Sequence, residues 1–278
     1  MKTLKTIHIA LVAGALTVPA ILFSSFSFNT HNKATYRTTY RSIPKGCVFR
    51  TLMGEEDADS SFVYKTPEKV VASIDKGLTW IVQAQHSSGG WGAGSHSRQD
   101  VMDPHAVQAD PATTSIVAMA LLRTGTTLNS GMYAQRLTRA LDYILNTVEN
   151  SGPNSNNITD QTGTQIQTKL GQNIDVILAS QFLSNLLPYI ENNPQLQARV
   201  KKDLNTCVSK IQRAQNSNGS TSGSGWAGVL QSSFATNALE SAQSQGAAVN
   251  NEALTKARDF QKGNYDAKTG NVNTDMGA

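Results

Sequence analysis

One short stretch, from His86 to Asp110, gathers most of the side chains that acid–base or metal chemistry would need: His86, His96, His105, Asp100, Asp103 and Asp110. A carboxylate or imidazole placed against a reacting group is the usual general acid or base. Asp100, Asp103, His105 and Asp110 are therefore the candidates for catalysis. Each also has a plainer role. Asp103 precedes Pro104 and reads as a turn residue, Asp110 precedes Pro111 and reads as a helix cap, and the histidines read as solvated loop residues. Their spacings fit no helical or turn-based ligand pattern, so neither a metal nor a cofactor is expected. Three rings, Trp91, Trp226 and Tyr265, could stack on a sugar or an isoprenoid, or could pack one helix on the next; packing is the expectation. Cys47 and Cys207 are the only cysteines. Oxidising surroundings would allow them to pair, while Cys207 beside Val208 on an apolar helix face suits an equally well-founded buried thiol. Neither has a neighbouring histidine that would make it a nucleophile.

The elements that position these residues alternate between two kinds of helix. Amphipathic segments carry one apolar stripe: Val70, Ile74, Leu78 and Ile81 after Thr66-Pro67; Tyr133, Leu137, Ala140, Leu141, Ile144, Leu145 and Val148; Leu196, Val200, Leu204, Val208 and Ile211 after Asn193-Pro194; and Leu254, Ala257 and Phe260. Between them lie segments apolar almost all round, Ile116 to Leu122 after Asp110-Pro111, Ile174 to Leu187, and Phe234 to Ala242 after Ser233. A helix with one apolar stripe lies at a surface, and one apolar on every side must be enclosed. The order is outer, inner, outer, inner, outer, inner, outer. No stretch shows the alternation of a strand. The fold predicted is all-α, stacked as a solenoid or ring with the inner set on the concave side.

Composition sets the ends apart. Met1 to Phe28 begins with Lys2 and Lys5 and continues through an apolar run, Ile7 to Phe23, the pattern of a secretory signal; the run is also nearly long enough for an uncleaved N-terminal anchor. Residues 29–65 read as a linker and 66–278 as the repeat domain. Seven of the 24 basic residues and none of the 20 acidic ones lie in the first 50 positions, so the overall +4 belongs to the leader and tail and the body is net −3. Nucleic acid, which needs a clustered basic face, is not an expected partner. The N-terminal segment offers a route to a membrane surface.

A repeated signature ends the outer helices: Gln85-His86-Ser87-Ser88-Gly89-Gly90-Trp91-Gly92, then Gln215-Asn216-Ser217-Asn218-Gly219 with Gly225-Trp226-Ala227-Gly228, and Gln261-Lys262-Gly263-Asn264-Tyr265, with a degenerate Asn150-Ser151-Gly152-Pro153 in the second repeat. These elements resemble the QW-type repeats of the α/α toroid of squalene and other terpene cyclases and of protein prenyltransferase β subunits, over about residues 66 to 278. Inner helices starting at Asp110, Asp175, Ser233 and Asp275 would correspond. The resemblance implies an α/α toroid-type fold in which four outer and three inner helices leave the six-pair ring incomplete, with the chain read as truncated at its C-terminus. It does not carry an active site across. The Asp-rich protonation motif of squalene-type cyclases, the magnesium-binding carboxylates of diphosphate-dependent synthases and the Asp, Cys and His zinc ligands of the prenyltransferases have no counterparts here. The Gly-Cys-Gly-Glu-Gln motif of thioester domains that share the toroid is missing too.

The expectation is therefore an exported repeat protein of the prenyltransferase and squalene cyclase type, periplasmic, in the cell envelope or secreted, acting as a binding or structural module. An isoprenoid or a glycan is its expected ligand class. The alternatives are a terpene cyclase-like enzyme whose acids lie beyond Ala278, and a polysaccharide-active enzyme in which Trp91 and the Asp100–His105 loop line a cleft.

Overall fold

The computed structural model describes residues 67–221 and 225–272. The chain falls into two units, Met1–Lys65 and Thr66–Ala278. The leader, the basic tail, Cys47, Thr66 and Asp275 lie outside the described residues. The second unit is all-α, with eight α-helices and no strand among the described residues: α1 (Glu68–Gln83), α2 (Pro111–Arg123), α3 (Ala134–Glu149), α4 (Gln165–Leu170), α5 (Ile174–Leu186), α6 (Pro194–Arg213), α7 (Gly228–Ser244) and α8 (Asn251–Gly263). No described helix is long and apolar enough to cross a membrane.

The two kinds of helix form two layers. The inner helices α2, α5 and α7 pack side by side, and α3, α6 and α8 each lie on the inner helix that precedes them, with α3 also against α6. This is the α/α toroid-type arrangement. α5 stands in the middle of the inner row and buries eleven of its thirteen residues, from Ile174 to Leu186. The outer stripes behave as their spacing demands. Leu137, Ala140, Leu141, Ile144, Leu145 and Val148 of α3 are buried together, as are Val200, Leu204, Val208 and Ile211 of α6. Cys207 belongs to that α6 face, where burial pushes its thiol well above the ordinary range.

Four local expectations change. α1 begins at Glu68 with Pro67 in the cap position, and its stripe is not core: Val70 and Ile74 are exposed while Leu78 and Ile81 are half-buried. The reason lies in the layering. The fourth and seventh residues of α3 and α8 (Leu137 and Ala140, Leu254 and Ala257) are buried, and each of these helices packs on the inner helix before it. The same positions of α1 are Val71 and Ile74, and no inner helix precedes α1 among the described residues. Secondly, α7 starts at Gly228, five residues before Ser233. Thirdly, α5 starts at Ile174, one residue before Asp175. Lastly, α2 is not sealed on all sides, since Ile116 is 41% exposed while Ala118, Leu121 and Leu122 are buried.

One helix has no counterpart in the periodicity. α4 opens with a capping box in which Gln167 N–H donates to Thr164 Oγ1 and Gln167 Oε1 accepts from Thr164 N–H. Its Ile166 and Leu170 pack on the core, and it touches α5 and α7.

Candidate functional site

Each outer helix ends in a turn whose job is now visible. Two residues after the last helical residue of α1, Gln85 sits buried and its Nε2 donates to Gly89 O (2.7 Å) and to Arg136 O on the first turn of α3 (2.9 Å). Gln215, two residues after α6, does the same to Gly219 O (3.3 Å) and Ala253 O on the first turn of α8 (2.9 Å). Gly89 and Gly219 have φ of +94° and +89°, and a Cβ on either would run into a backbone carbonyl of the held helix, Arg139 O or Lys256 O. The turn is a clamp on the next outer helix. In the loop after α3 the same work falls to cations of α6: Lys210 Nζ donates to Gly152 O and Ser155 O, and Arg213 to Ser155 O. After α8 the clamp position is held by Tyr265, not Gln261, which lies a helical turn earlier and accepts from Ser233 Oγ.

The three rings separate on this frame. Trp91 is 3% exposed. Its indole N–H donates to Ile81 O (2.7 Å), its backbone N–H to Thr114 Oγ1 (2.9 Å), and its carbonyl accepts from Asp110 N–H (2.9 Å). It locks the turn to α2 and cannot line a cleft. The matching position after Gln215 is Thr221, whose N–H donates to Ser232 Oγ of α7, so Trp226 is not the equivalent of Trp91. Trp226 is 60% exposed and Tyr265 54%.

The acidic candidates are also held apart. Asp110 caps α2: its Oδ1 accepts from Thr113 N–H (2.7 Å), and its Oδ2 from Thr113 Oγ1 (2.9 Å) and Ala93 N–H (3.2 Å). Burial pushes its carboxyl up, and those bonds pull it back. Asp100 is an exposed partner of Arg98, whose guanidinium holds it below the usual carboxylate range. Asp103 caps the short turn Pro104–Ala106 by accepting from His105 N–H, with His105 Nδ1 at 3.4 Å. His105 leans on His86, ring centroids 5.7 Å apart, while His86 Nε2 is 3.0 Å from Pro104 O. No group of three or more metal-ligating side chains occurs among the described residues.

An acid that the spacing had marked only as a helix start proves to be the most deeply set. Asp175 is fully buried and joins three segments: Oδ1 accepts from Ala112 N–H on α2, and Oδ2 from Gln167 of α4 and Asn157 of the preceding loop. Burial first, then the negative charge of Asp110, push it up to about 6 against those bonds. The same two carboxylates, after burial, raise the Tyr143 phenol, which donates to Ala109 O. Buried and held by three donors from three segments, Asp175 is a tie between segments.

What the fold does assemble is an exposed ring with polar neighbours. His96 N–H donates to Gly163 O, Gln165 N–H to Gly94 O, and Trp226 N–H to Thr168 O, so the loop 92–99, α4 and the start of α7 are laced together. There His96 stands edge-on to Trp226 at 5.0 Å and 90°, with its Nδ1 2.7 Å from Gln165 Oε1 and 3.4 Å from Gln99 Nε2. In sequence His96 reads as a solvated loop residue and Gln165 and Gln99 are not candidates, because the contact spans widely separated segments and depends on α4. The grooves elsewhere are shallow and mixed in character. One of about 480 Å³ runs between Ser88, Tyr143, Asn146, Asn150 and Asp160, and another of about 320 Å³ is lined by Met119, Leu122, Arg123, Asn185 and Tyr189.

The class this defines is a two-layer all-α fold of the α/α toroid type, with glutamine clamps after α1 and α6. Residues 61–169 match the family model described as the squalene-hopene cyclase C-terminal domain, so that stretch is squalene cyclase-like. The match takes in both Trp91 and Asp110 and stops before α5. No curated protein and no solved structure matches the chain.

Proposed function

We propose that this squalene cyclase-like repeat is an exported binding module that holds a glycan on the Trp226 platform rather than cyclising an isoprenoid. The observation that carries the reading is the ring itself. Trp226 is 60% exposed and lies perpendicular to the His96 ring, which is met by the amides of Gln165 and Gln99, so an apolar plate stands beside donors and acceptors. A pyranose presents both a C–H face and ring hydroxyls, and that combination suits it. A long hydrocarbon would need an enclosed apolar pocket, whereas the grooves of this surface carry Asn, Thr, Ser and charged side chains in their walls. Two buried carboxyls whose proton affinity is raised, Asp110 and Asp175, are spent on helix starts and loops, which favours binding over acid catalysis. The basic, apolar leader supports export.

Calorimetric titration of the folded protein with a panel of cell-envelope and plant polysaccharide fragments tests the reading. Saturable binding that Trp226→Ala reduces at least tenfold, about 1.4 kcal/mol, and that His96→Ala weakens less, is the expected result. Binding unaffected by Trp226→Ala, or turnover of a polyprenyl substrate, would replace it.

A further inference from the structure

The clamp after α6 contains the only Asn-Gly pair in the chain, Asn218-Gly219. In such a pair the glycine nitrogen can attack the preceding side-chain amide carbon, because no Cβ shields the approach. The local geometry assists. Asn218 is exposed, so a departing amide nitrogen enters water directly. Its Oδ1 accepts two hydrogen bonds, from Ser220 N–H (3.0 Å) and Ser220 Oγ–H (2.7 Å). Ser220 is buried and is itself fixed by Asn216 Nδ2, which donates to its Oγ (2.9 Å). Two positioned donors on one carbonyl oxygen polarise its carbon and stabilise the oxyanion formed on attack. One restraint opposes this: Gly219 N–H donates to Asn216 O (3.0 Å) and must let go first.

We infer that Asn218 is a self-modification site, deamidating in the folded protein, and that its product releases α8. Gly219 N loses its proton to solvent base and bonds to Asn218 Cγ. The Cγ–Nδ2 bond breaks and Nδ2 leaves, protonated, as ammonia, closing a succinimide ring. Water then adds to either ring carbonyl and reopens it as aspartate or isoaspartate; no oxidant or further reactant takes part. The isoaspartyl form routes the backbone through Cγ and lengthens the turn by an atom. This turn has no slack to absorb it. Gly219 is pressed on Lys256 O, Asn216 N–H is bonded to Ser220 O (2.8 Å), and Gln215 must still reach Ala253 O. The first clamp carries Ser88-Gly89 at the same place and lacks the reactive amide, which makes α3 an internal control.

The experiment ages the full chain in its native state at mildly alkaline pH and follows it by peptide mass mapping and by hydrogen exchange. Conversion at Asn218 ahead of the Asn-Ser pairs at Asn129, Asn150, Asn154 and Asn216 is expected. Exchange across Asn251–Gly263 should rise several-fold in the converted fraction, with α3 unchanged, and Asn218→Gln should abolish both effects. The wild-type time course carries both readouts should that variant fold poorly. Conversion of another asparagine first, or conversion at Asn218 with α8 as protected as before, would overturn the inference.

Discussion

The turn from Gln85 to Trp91 and the turn from Gln215 to Thr221 follow one plan and are finished differently. Both use a glutamine amide to join a glycine carbonyl to the first turn of the next outer helix, and both press a left-handed glycine on that helix. The first is closed by Trp91, whose indole N–H donates back to Ile81 O of α1 and whose backbone N–H donates to Thr114 of α2, and by two cationic contacts, from Arg136 to Gln85 and from Arg139 to the His86 and Ser87 carbonyls. The second is closed by a threonine, and its glutamine is less deeply set. The difference teaches that where the glutamine–glycine clamp occurs, after α1 and α6, the residue that closes it can change from an indole to a threonine. A sequence pattern that counts glutamines and aromatics alone therefore pairs Trp226 with Trp91, and Gln261 with Gln85, when the fold pairs neither.

The comparison can be broken at several depths. Trp91→Thr imports the third-repeat residue into the first and empties a large buried site. A loss of about 3–5 kcal/mol in denaturant unfolding is expected, comparable with truncating a core aromatic, whereas Thr221→Val should cost under about 1 kcal/mol. Gly89→Ala and Gly219→Ala should each cost about 2 kcal/mol or more, because a side chain is forced into left-handed backbone against a carbonyl. Gln85→Ala should lower stability by about 2 kcal/mol and Gln215→Ala by about 1 kcal/mol, since the deeper clamp leaves more desolvated backbone groups unpaired. Equal losses for the two would show that burial of the first clamp contributes nothing.

A subtler comparison sets buried against surface acids. Asp175 and Asp203 are pushed up to about 6, both chiefly by burial. Their folded values exceed their unfolded ones, so the native state holds extra protons between the two. Their contribution is present at about pH 4 and lost as pH rises through about 6. Asp100, Glu149 and Glu252 are lowered by Arg98, Arg199 and Lys256 and work in the opposite sense, losing their contribution below about pH 4. The midpoint of urea unfolding should therefore peak between about pH 4 and pH 6 and fall towards neutrality, and Asp203→Asn should flatten that fall. A midpoint that climbs steadily from pH 5 to pH 7 would contradict it.

The layering was legible because it rests on periodicity. Leu137 to Val148 reads as a surface helix with one apolar face, and Ile174 to Leu186 as an enclosed one. α4 was not legible, since six residues with a capping box show no period, and its place depends on Gln165 N–H meeting a carbonyl of the 92–99 loop. The same distance in sequence hid His96, Gln165 and Trp226 as a group. Asp103 was readable as a turn residue and Asp110 as a cap because both roles are local. The role of Asp175 was not, because its three partners come from α2, α4 and a loop. The stripe of α1 was legible as a stripe, but its exposure was not, because burial depends on the neighbour that a helix finds.

Hydroxyl-radical footprinting of the folded protein, with and without saturating oligosaccharide, tests the account most directly. Trp226 and Tyr265 should label readily and Trp91 should stay silent, with ligand suppressing the Trp226 signal alone. Labelling of Trp91 at the rate of Trp226, or a Trp226 signal indifferent to bound ligand, would contradict it.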